Sequence, residues 1–500
     1  MRQLSKSKLI AFRQCPKRLW LELHKPELKD DSGSEAVFRI GHQVGDIALK
    51  IFDPKGTGIN VDPNEIGWDE SAAQTKQSLE SGDGPVFEAQ LRIPGALALA
   101  DVMRPTRDFG SLQWEMIEVK SSTSVHDYHR DDVAIQTYIA HKAGIQLSKV
   151  GVAHIDNQFV YPGDEDYDGL LHVEDLTDEA KGRHAEVEQW LADAQSTAAL
   201  EAEPIVEVGG HCSEPFTCGF CDYCWKDVPQ PEDPFGMLPN LNWKRRETWQ
   251  VAGFEKLEAI PEQELTSLQQ RVRESNLSGK TYFDAQLAKT LLHEEVRPIY
   301  FLDFETVQFA VPIWKGTRPY QQLPFQYSLH RVNETGSLDH FEFLNLEPES
   351  PIRKLAQQMI TDCGKEGTIY AYYSSFEKGV IQRLADQFED LREELEALLP
   401  RIEDLLHIAR KCYYNPSQGK SWSLKAVTPA IAPDLSYEDL EGVQVGTEAG
   451  PAFQEAILPE TTPDRREELR RQMLAYCKLD TLATVKIWEF FKGIKILKQT

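Results

Sequence analysis

Three groups of residues in this chain have types and spacings that carry chemistry. Near the front, Asp101 precedes Glu118-Val119-Lys120; near the back, Asp303-Phe304-Glu305 precedes Tyr476-Cys477-Lys478-Leu479-Asp480. Hard divalent ions select carboxylate oxygens, and ions so held stabilise charge on a phosphate and activate water, which is what phosphodiester hydrolysis needs. Between the acidic groups lie Cys212, Cys218, Cys221 and Cys224, which with the distant Cys15 suit an iron-sulfur centre. Zinc is the competing reading, kept open by His211 beside Cys212.

Strands and helices must bring these residues together. Leu97 to Met103 is an apolar run interrupted by Asp101, and Trp114 to Val119 is another, so Asp101 and Glu118 are expected on neighbouring strands. Glu118 and Lys120 then leave one face, where the lysine can orient water or stabilise the phosphate. A lone Asp followed by Glu-x-Lys arises readily in a chain with 80 acidic residues, so the flanks matter. Upstream, His42 lies in a helical stretch, and Asp131 to Ala143 reads as a helix carrying Gln136 beside the site.

In the back region Arg297 to Thr306 reads as a strand on which Asp303 and Glu305 share a face. Thr368 to Tyr373 reads as a second strand, running into a helix that begins near Glu377. Arg466 to Phe491 reads as a helix that sets Tyr476 and Asp480, four apart, on one side. Four carboxylates, Asp303, Glu305, Glu377 and Asp480, can thereby converge, with Asp404 as a reserve for Glu377 or else a helix residue. Gly419 to Lys425 reads as a loop opening a helix, where Lys420 and Lys425 can meet a phosphate and Trp422 can stack on a base. Ordinary capping around a core tryptophan is the alternative.

A chain of 500 residues, 41% of them hydrophobic, is long enough for two or three separately cored domains. The expected class is α/β, with domains at 1–227 and 296–500 joined by 228–295. That joint holds a proline-rich linker from Val228 to Phe235 and a helical bridge from about Thr248 to His293. The net charge of -26 argues against phosphate binding spread over the whole surface. It leaves room for an enzyme that gathers carboxylates around metals and keeps its cations to a strand path, such as Lys6, Lys8, Arg13, Lys17 and Arg18 at the start. The basic start lacks an apolar stretch of signal-peptide length, and no run approaches the roughly 18 apolar residues of a spanning helix. A soluble, cytoplasmic protein is expected, in which clustered cysteines favour a metal over disulfides. Cys363, Cys412 and Cys477 read as buried thiols.

On these residues the first 226 positions resemble the RecB-like branch of the PD-(D/E)XK nucleases, which have a restriction-endonuclease-like fold. The likeness is to its iron-sulfur members, typified by CRISPR-adaptation exonucleases and the AddB-type helicase-nuclease subunit. The resemblance implies His42, Asp101 and Glu118 as metal ligands, Lys120 as the motif lysine and Gln136 near the substrate. It also implies one cluster ligand from before the core and three from after it, hence Cys15, Cys212, Cys218 and Cys224 on a 4Fe-4S cluster, with Cys221 surplus or alternative. Where that family has Gln-x-x-x-Tyr, this chain has Gln136-Thr137-Tyr138.

Residues 296–495 resemble the DEDD exonucleases of the RNase H-like, DnaQ-type fold, in the subgroup ending in Tyr-x-x-x-Asp. That resemblance implies two Mg2+ or Mn2+ ions on Asp303, Glu305, Glu377 and Asp480, with Tyr476 positioning the nucleophilic water. The chain departs from the pattern at Ser374-Ser375-Phe376-Glu377, which offers Glu and no Asn. The joint arrangement is similar to a bacterial two-nuclease family. The expected activity is that of a DNA exonuclease working on single strands or free ends in repair, recombination or defence. The alternatives are RNA as the back domain's substrate, or a nucleic-acid-binding scaffold with degenerate sites.

Overall fold

The computed structural model describes residues 2–30, 34–226, 228, 235–292 and 295–496. The proline-rich stretch 229–234 and His293 lie outside the described residues. The protein is α/β with mixed sheets and divides into two compact units, Met1–Gln230 with Phe309–Tyr320, and Pro231–Gln308 with Gln321–Thr500.

The first unit is built on β1 (Leu4–Ser5), β2 (Ile59–Asn60), β3 (Val86–Ile93), β4 (Ala96–Asp108), β5 (Ser111–Lys120), β6 (Leu147–Ile155) and β7 (Leu171–Asp175). The sheet order is β2-β3-β4-β5-β6-β7, with β1 parallel to β4. Strands β3, β4 and β5 are antiparallel. The β4–β5 hairpin turns on Phe109 and Gly110, whose φ angles of 47° and 87° are those of a tight primed turn. Strands β5 and β6 are parallel and therefore need a crossover. The helix Asp127–Lys142 supplies it, burying Val133, Ile135 and Ile139 in one core with Met103 and Met116. The helix Ser34–Phe52 covers the opposite face, where Ala48 and Phe52 meet Phe87, Val102 and Ile117. The segment Phe309–Tyr320 joins this unit through Ala310 and Val311, which pack with Val44, Ile47 and Leu170.

The second unit contains β8 (Tyr282–Phe283), β9 (Ile299–Val307), β10 (Leu323–Val332), β11 (Leu338–Leu344), β12 (Thr368–Ala371), β13 (Ile402–Asp404) and β14 (Tyr413–Tyr414). Its main sheet runs β11-β10-β9-β12-β13. The first three strands are antiparallel and the last two run parallel to β9. Strand β9 is central and buried on both faces, which explains its nearly unbroken apolar run. The 30-residue helix Pro463–Lys492 packs Val485, Trp488 and Phe491 into the core with Phe301 and Tyr370. The bridge expected from about Thr248 to His293 is not a spacer. Trp249, Leu265, Val272 and Ala288 are buried in that same core, because the apolar stripe of each short helix is covered by this unit.

Two candidate active sites and a cysteine pocket

In the first unit the register pairs Phe87 with Val102 and Val102 with Ile117, so Glu88, Asp101 and Glu118 stand at one level of three adjacent strands. The amide of Val119 donates to Asp101 Oδ2 at 2.7 Å, fixing that carboxylate across the strand pair. Glu118 is almost wholly buried. Its Oε1 accepts from Lys120 Nζ and Lys6 Nζ, both at 2.6 Å, and its Oε2 accepts from Gln136. Lys120 also reaches Asp132 at 2.6 Å, and Lys6 reaches it at 3.3 Å.

Electrostatics separates these acids. Burial alone would raise Glu118, but Lys120 and Lys6 override it and hold the carboxyl well below the usual range. Burial and the Glu118 charge push Asp101 well up. Glu88 is pushed up to about 7 by burial, then by Glu118 and Asp62. Burial works against charge on Lys120, yet Asp132 and Glu118 leave its pKa raised.

A cavity of about 460 Å³ is lined by His42, Asp62, Glu65, Glu88, Asp101 and Lys120. The expected residues His42, Asp101 and Lys120 thus face one space, and Glu118 and Gln136 are bonded to that lysine or to each other. A second cavity of about 910 Å³ shares Phe38, Lys120 and Ser121 with the first, so Lys120 separates two open spaces.

In the second unit Asp303 and Glu305 leave one face of β9. The ligand atoms of Asp303, Glu305 and Cys477 all lie within 4.8 Å of one another. The Cys477 thiol donates to Asp303 Oδ2 at 3.6 Å. Glu377, in the first turn of the helix Ser375–Gln387, is 2% exposed and its Oε2 has no hydrogen-bond partner. Asp480 accepts from Tyr437 Oη at 2.5 Å, and the Tyr476 hydroxyl stands close beside it.

All four acids are pushed upward. Burial is the first cause for each; Asp480 adds to it at Asp303, Asp303 and Asp480 at Glu305, and Asp303 at Glu377. Asp404 is occupied by the fold. Its Oδ1 caps the following helix through the His407 amide at 3.2 Å, and its Oδ2 accepts from the Ser374 amide and hydroxyl at 3.3 Å. Asp404 thus ends β13 and caps the next helix, where the sequence alone allows a reserve ligand or a helix residue.

The loop expected to hold nucleic acid needs correction. Trp422 is 4% exposed and donates its indole N–H to Tyr413 O at 2.9 Å, so it is a core residue and presents no ring to a base. Ser423 caps the helix Leu424–Ile431, and Lys420 is exposed. Lys425 belongs to the acidic site, with its ammonium 4.8 and 4.9 Å from the ring centres of Tyr437 and Tyr476.

The five cysteines of the first unit, Cys15, Cys212, Cys218, Cys221 and Cys224, line one pocket with Lys17, Arg18 and His211. Cys15 is held there as the N-cap of the helix Pro16–His24, and Gln14 ties the distant ends together through His211 O at 2.8 Å and Phe216 O at 2.6 Å. Cys221 Sγ donates to Cys212 O at 3.4 Å. Burial pushes the Cys218 and Cys224 thiols up, against the pull of Arg18 and Lys17 respectively.

Several members of these sites were not singled out from sequence. Asp132 lies one turn before Gln136 on its helix, a spacing that could have marked it. Lys6 was visible only as part of a basic run. Glu88 sits in a strand whose φ of 55° at that residue is not legible in advance. Cys477 lies next to Tyr476 and one turn from Asp480, and that spacing is the signal that sets it apart from a buried spare thiol. Tyr437 lies outside any helix or strand.

A family model described as Domain of unknown function (DUF2779) matches residues 300–423. That stretch holds Asp303, Glu305, Glu377 and Asp404 and stops short of Tyr476 and Asp480. No curated protein matches the chain.

Proposed function

We propose that this protein is a metal-dependent nuclease with two active sites, acting on the ends of DNA strands. The observation that carries the reading is that ligand atoms of Asp303 and Glu305 lie within 4.8 Å of each other and feel the charges of the buried Asp480 and Glu377, with a Glu377 oxygen left unpartnered. Burying four carboxylates without cations among them is costly, and a divalent ion is the natural compensation. The RNase H-like reading is supported by three antiparallel strands followed by two parallel ones, with the first acids on the central strand. The PD-(D/E)XK reading is supported by the succession of a helix, an antiparallel β3-β4-β5 meander, a crossover helix and a parallel β6.

Divalent ions held by Asp303, Glu305, Glu377 and Asp480, and by His42, Asp101 and Glu118, would supply stabilisation of the charge developing on the phosphate. The protein's own groups do the rest. Lys120, beside the opening between two cavities, is placed to orient water or meet the phosphate, with Glu118 and Asp132 holding its ammonium. Gln136, whose Oε1 is buried without a partner, holds Glu118 from behind. Tyr476 stands against Asp480, where it can position a nucleophile.

The cysteine pocket fits a 4Fe-4S cluster on Cys15, Cys212, Cys218 and Cys224, with Cys221 spare. The iron-sulfur reading rests on five cysteines lining one pocket and on the close run Cys212, Cys218, Cys221 and Cys224. The cluster's role is structural: it clips the first turns of the chain to the end of the nuclease core, closing a loop of about 200 residues.

Cleavage of labelled single-stranded and duplex DNA and of RNA, with Mg2+ or Mn2+, tests the reading. Wild type is expected to degrade DNA, Glu118→Ala and Asp303→Ala each to lose one component of that activity, and the double variant to lose both. Equal cleavage by all three variants and wild type would sink the assignment, and cleavage of RNA alone would move the substrate to RNA. Anaerobically purified protein is expected to show iron absorbance that Cys15→Ala abolishes and Cys221→Ala keeps.

A further inference from the structure

We infer that Cys477 is a metal ligand and that the acidic site of the second unit is a mixed oxygen-sulfur site, selective for a thiophilic divalent ion of the zinc class over magnesium. The inference rests on the reading of Asp303 and Glu305 as metal ligands, and does not require that the site hydrolyse anything.

The geometry is specific to this residue. Cys477 is wholly buried, and its sulfur lies close enough to an oxygen of Asp303 and one of Glu305 for a single ion to be shared by all three. It sits three positions before Asp480 on the helix Pro463–Lys492, so the two side chains project from one side, one turn apart. A second observation marks the place as built for a cation. Glu377, 2% exposed, leaves Oε2 unsatisfied and lies near enough to Asp303 to feel its charge. Buried polar atoms are nearly always paired, and a cation between these acids satisfies that oxygen and separates the like charges.

The donor set then selects the ion. Magnesium demands oxygen ligands in near-octahedral order and keeps several waters. A thiolate among carboxylates moves preference toward zinc, cobalt or cadmium, for which sulfur is a strong ligand. When the ion binds, the thiol proton passes to solvent and the metal-sulfur bond replaces the thiol's hydrogen bond to Asp303. Cys363 and Cys412 are equally buried, but Cys363 faces Tyr300 and Arg401 and Cys412 packs in the main core, so neither shares this setting.

Cadmium is the probe. Binding of Cd2+ and of Mg2+ to the full-length protein is measured by calorimetry for wild type, Cys477→Ser, Cys477→Ala and Asp303→Asn. Cadmium taken up by the cysteine pocket is common to all four and cancels in the comparison. Both cysteine variants are expected to lose at least tenfold in affinity at one Cd2+ site while Mg2+ affinity changes less than threefold, and Asp303→Asn is expected to weaken both ions. Cd2+ binding unchanged in the cysteine variants would overturn the inference, as would equal losses for the two ions, which would make Cys477 a positioning residue for Asp303. Should either cysteine variant fail to fold, the near-ultraviolet sulfur-to-cadmium absorbance of wild type and Asp303→Asn decides instead: a component missing from Asp303→Asn supports the site, and identical spectra overturn it. Absence of cleavage in every assay, with Cd2+ binding as expected, would refute the nuclease reading and leave this site standing.

Discussion

The two acidic sites solve the same electrostatic problem in opposite ways. In the first unit Lys6 and Lys120 stand among the carboxylates, and Glu118 is held ionised without any metal. In the second, no lysine among the described residues hydrogen-bonds Asp303, Glu305, Glu377 or Asp480, and all four are pushed toward their protonated forms. A site balanced by its own cations is organised before an ion arrives. A site of nearly bare carboxylates pays for its shape until an ion arrives, and so couples binding to stability.

The sharpest way to break this contrast is to neutralise one acid in each unit of the metal-free protein. Glu118→Gln leaves two largely buried ammonium groups with Asp132 as their remaining partner, and removing one member of such a buried pair costs about 3–5 kcal/mol. Asp303→Asn removes a carboxyl that burial and the Asp480 charge disfavour in its ionised form, and is expected to stabilise. Urea unfolding in EDTA measures both. Changes of the same sign in the two units would end the comparison.

The pH dependence sharpens it further. A carboxyl whose folded pKa lies above its unfolded value makes the folded state bind more protons, so stability falls as pH rises from about 4 toward that raised pKa. The metal-free second unit therefore gains stability on mild acidification from its four acids. His330 and His340 act the other way. Burial first, with neighbouring cations, lowers them to about 3 and about 4, so below pH 6.5 the unfolded chain takes protons that the folded unit refuses. Between pH 6.5 and 4 the two effects oppose each other in EDTA. With Mg2+ on the acids the histidines are left exposed as a loss of up to about 1.4 kcal/mol per pH unit for each group. Stability should therefore fall more steeply on acidification with Mg2+ bound than in EDTA, and equal slopes would show that the acids are not the ion's ligands.

How much of this was legible in the sequence follows from what each element encodes. The acids on β4, β5 and β9 interrupt apolar runs, and such interruptions are visible because a strand's period of two assigns every side chain to a face. The long helix set Tyr476 and Asp480 one turn apart by spacing alone. What spacing cannot encode is contact between elements distant in the chain. Lys6 reaches Glu118 across 112 positions, and Tyr437 meets Asp480 from a segment without regular structure. Trp422 was ambiguous for the same reason, since a loop motif suited to phosphate is also suited to capping, and only its bond to Tyr413 decides. The helices before β9 look like a bridge in sequence because their apolar stripes are short, and a short stripe does not reveal which unit covers it.

The smallest expected effect tests whether the second site's lone lysine plays the part that lysines play in the first. Lys425 does not bond a carboxylate; it lies over two aromatic rings and donates to Gln444 O. Its charge reaches Glu305 and Asp480 only through space. Lys425→Met should thus cost about 0.5–1 kcal/mol of stability, the worth of a cation-π contact near the surface, and change metal affinity less than threefold. Lys120→Met, by contrast, uncovers Glu118 and Asp132 together and should be costlier by several-fold in free energy. If Lys425→Met proves as damaging as Lys120→Met, the second site is also balanced by its own cation, and the distinction between a prepared site and one that waits for its ion disappears.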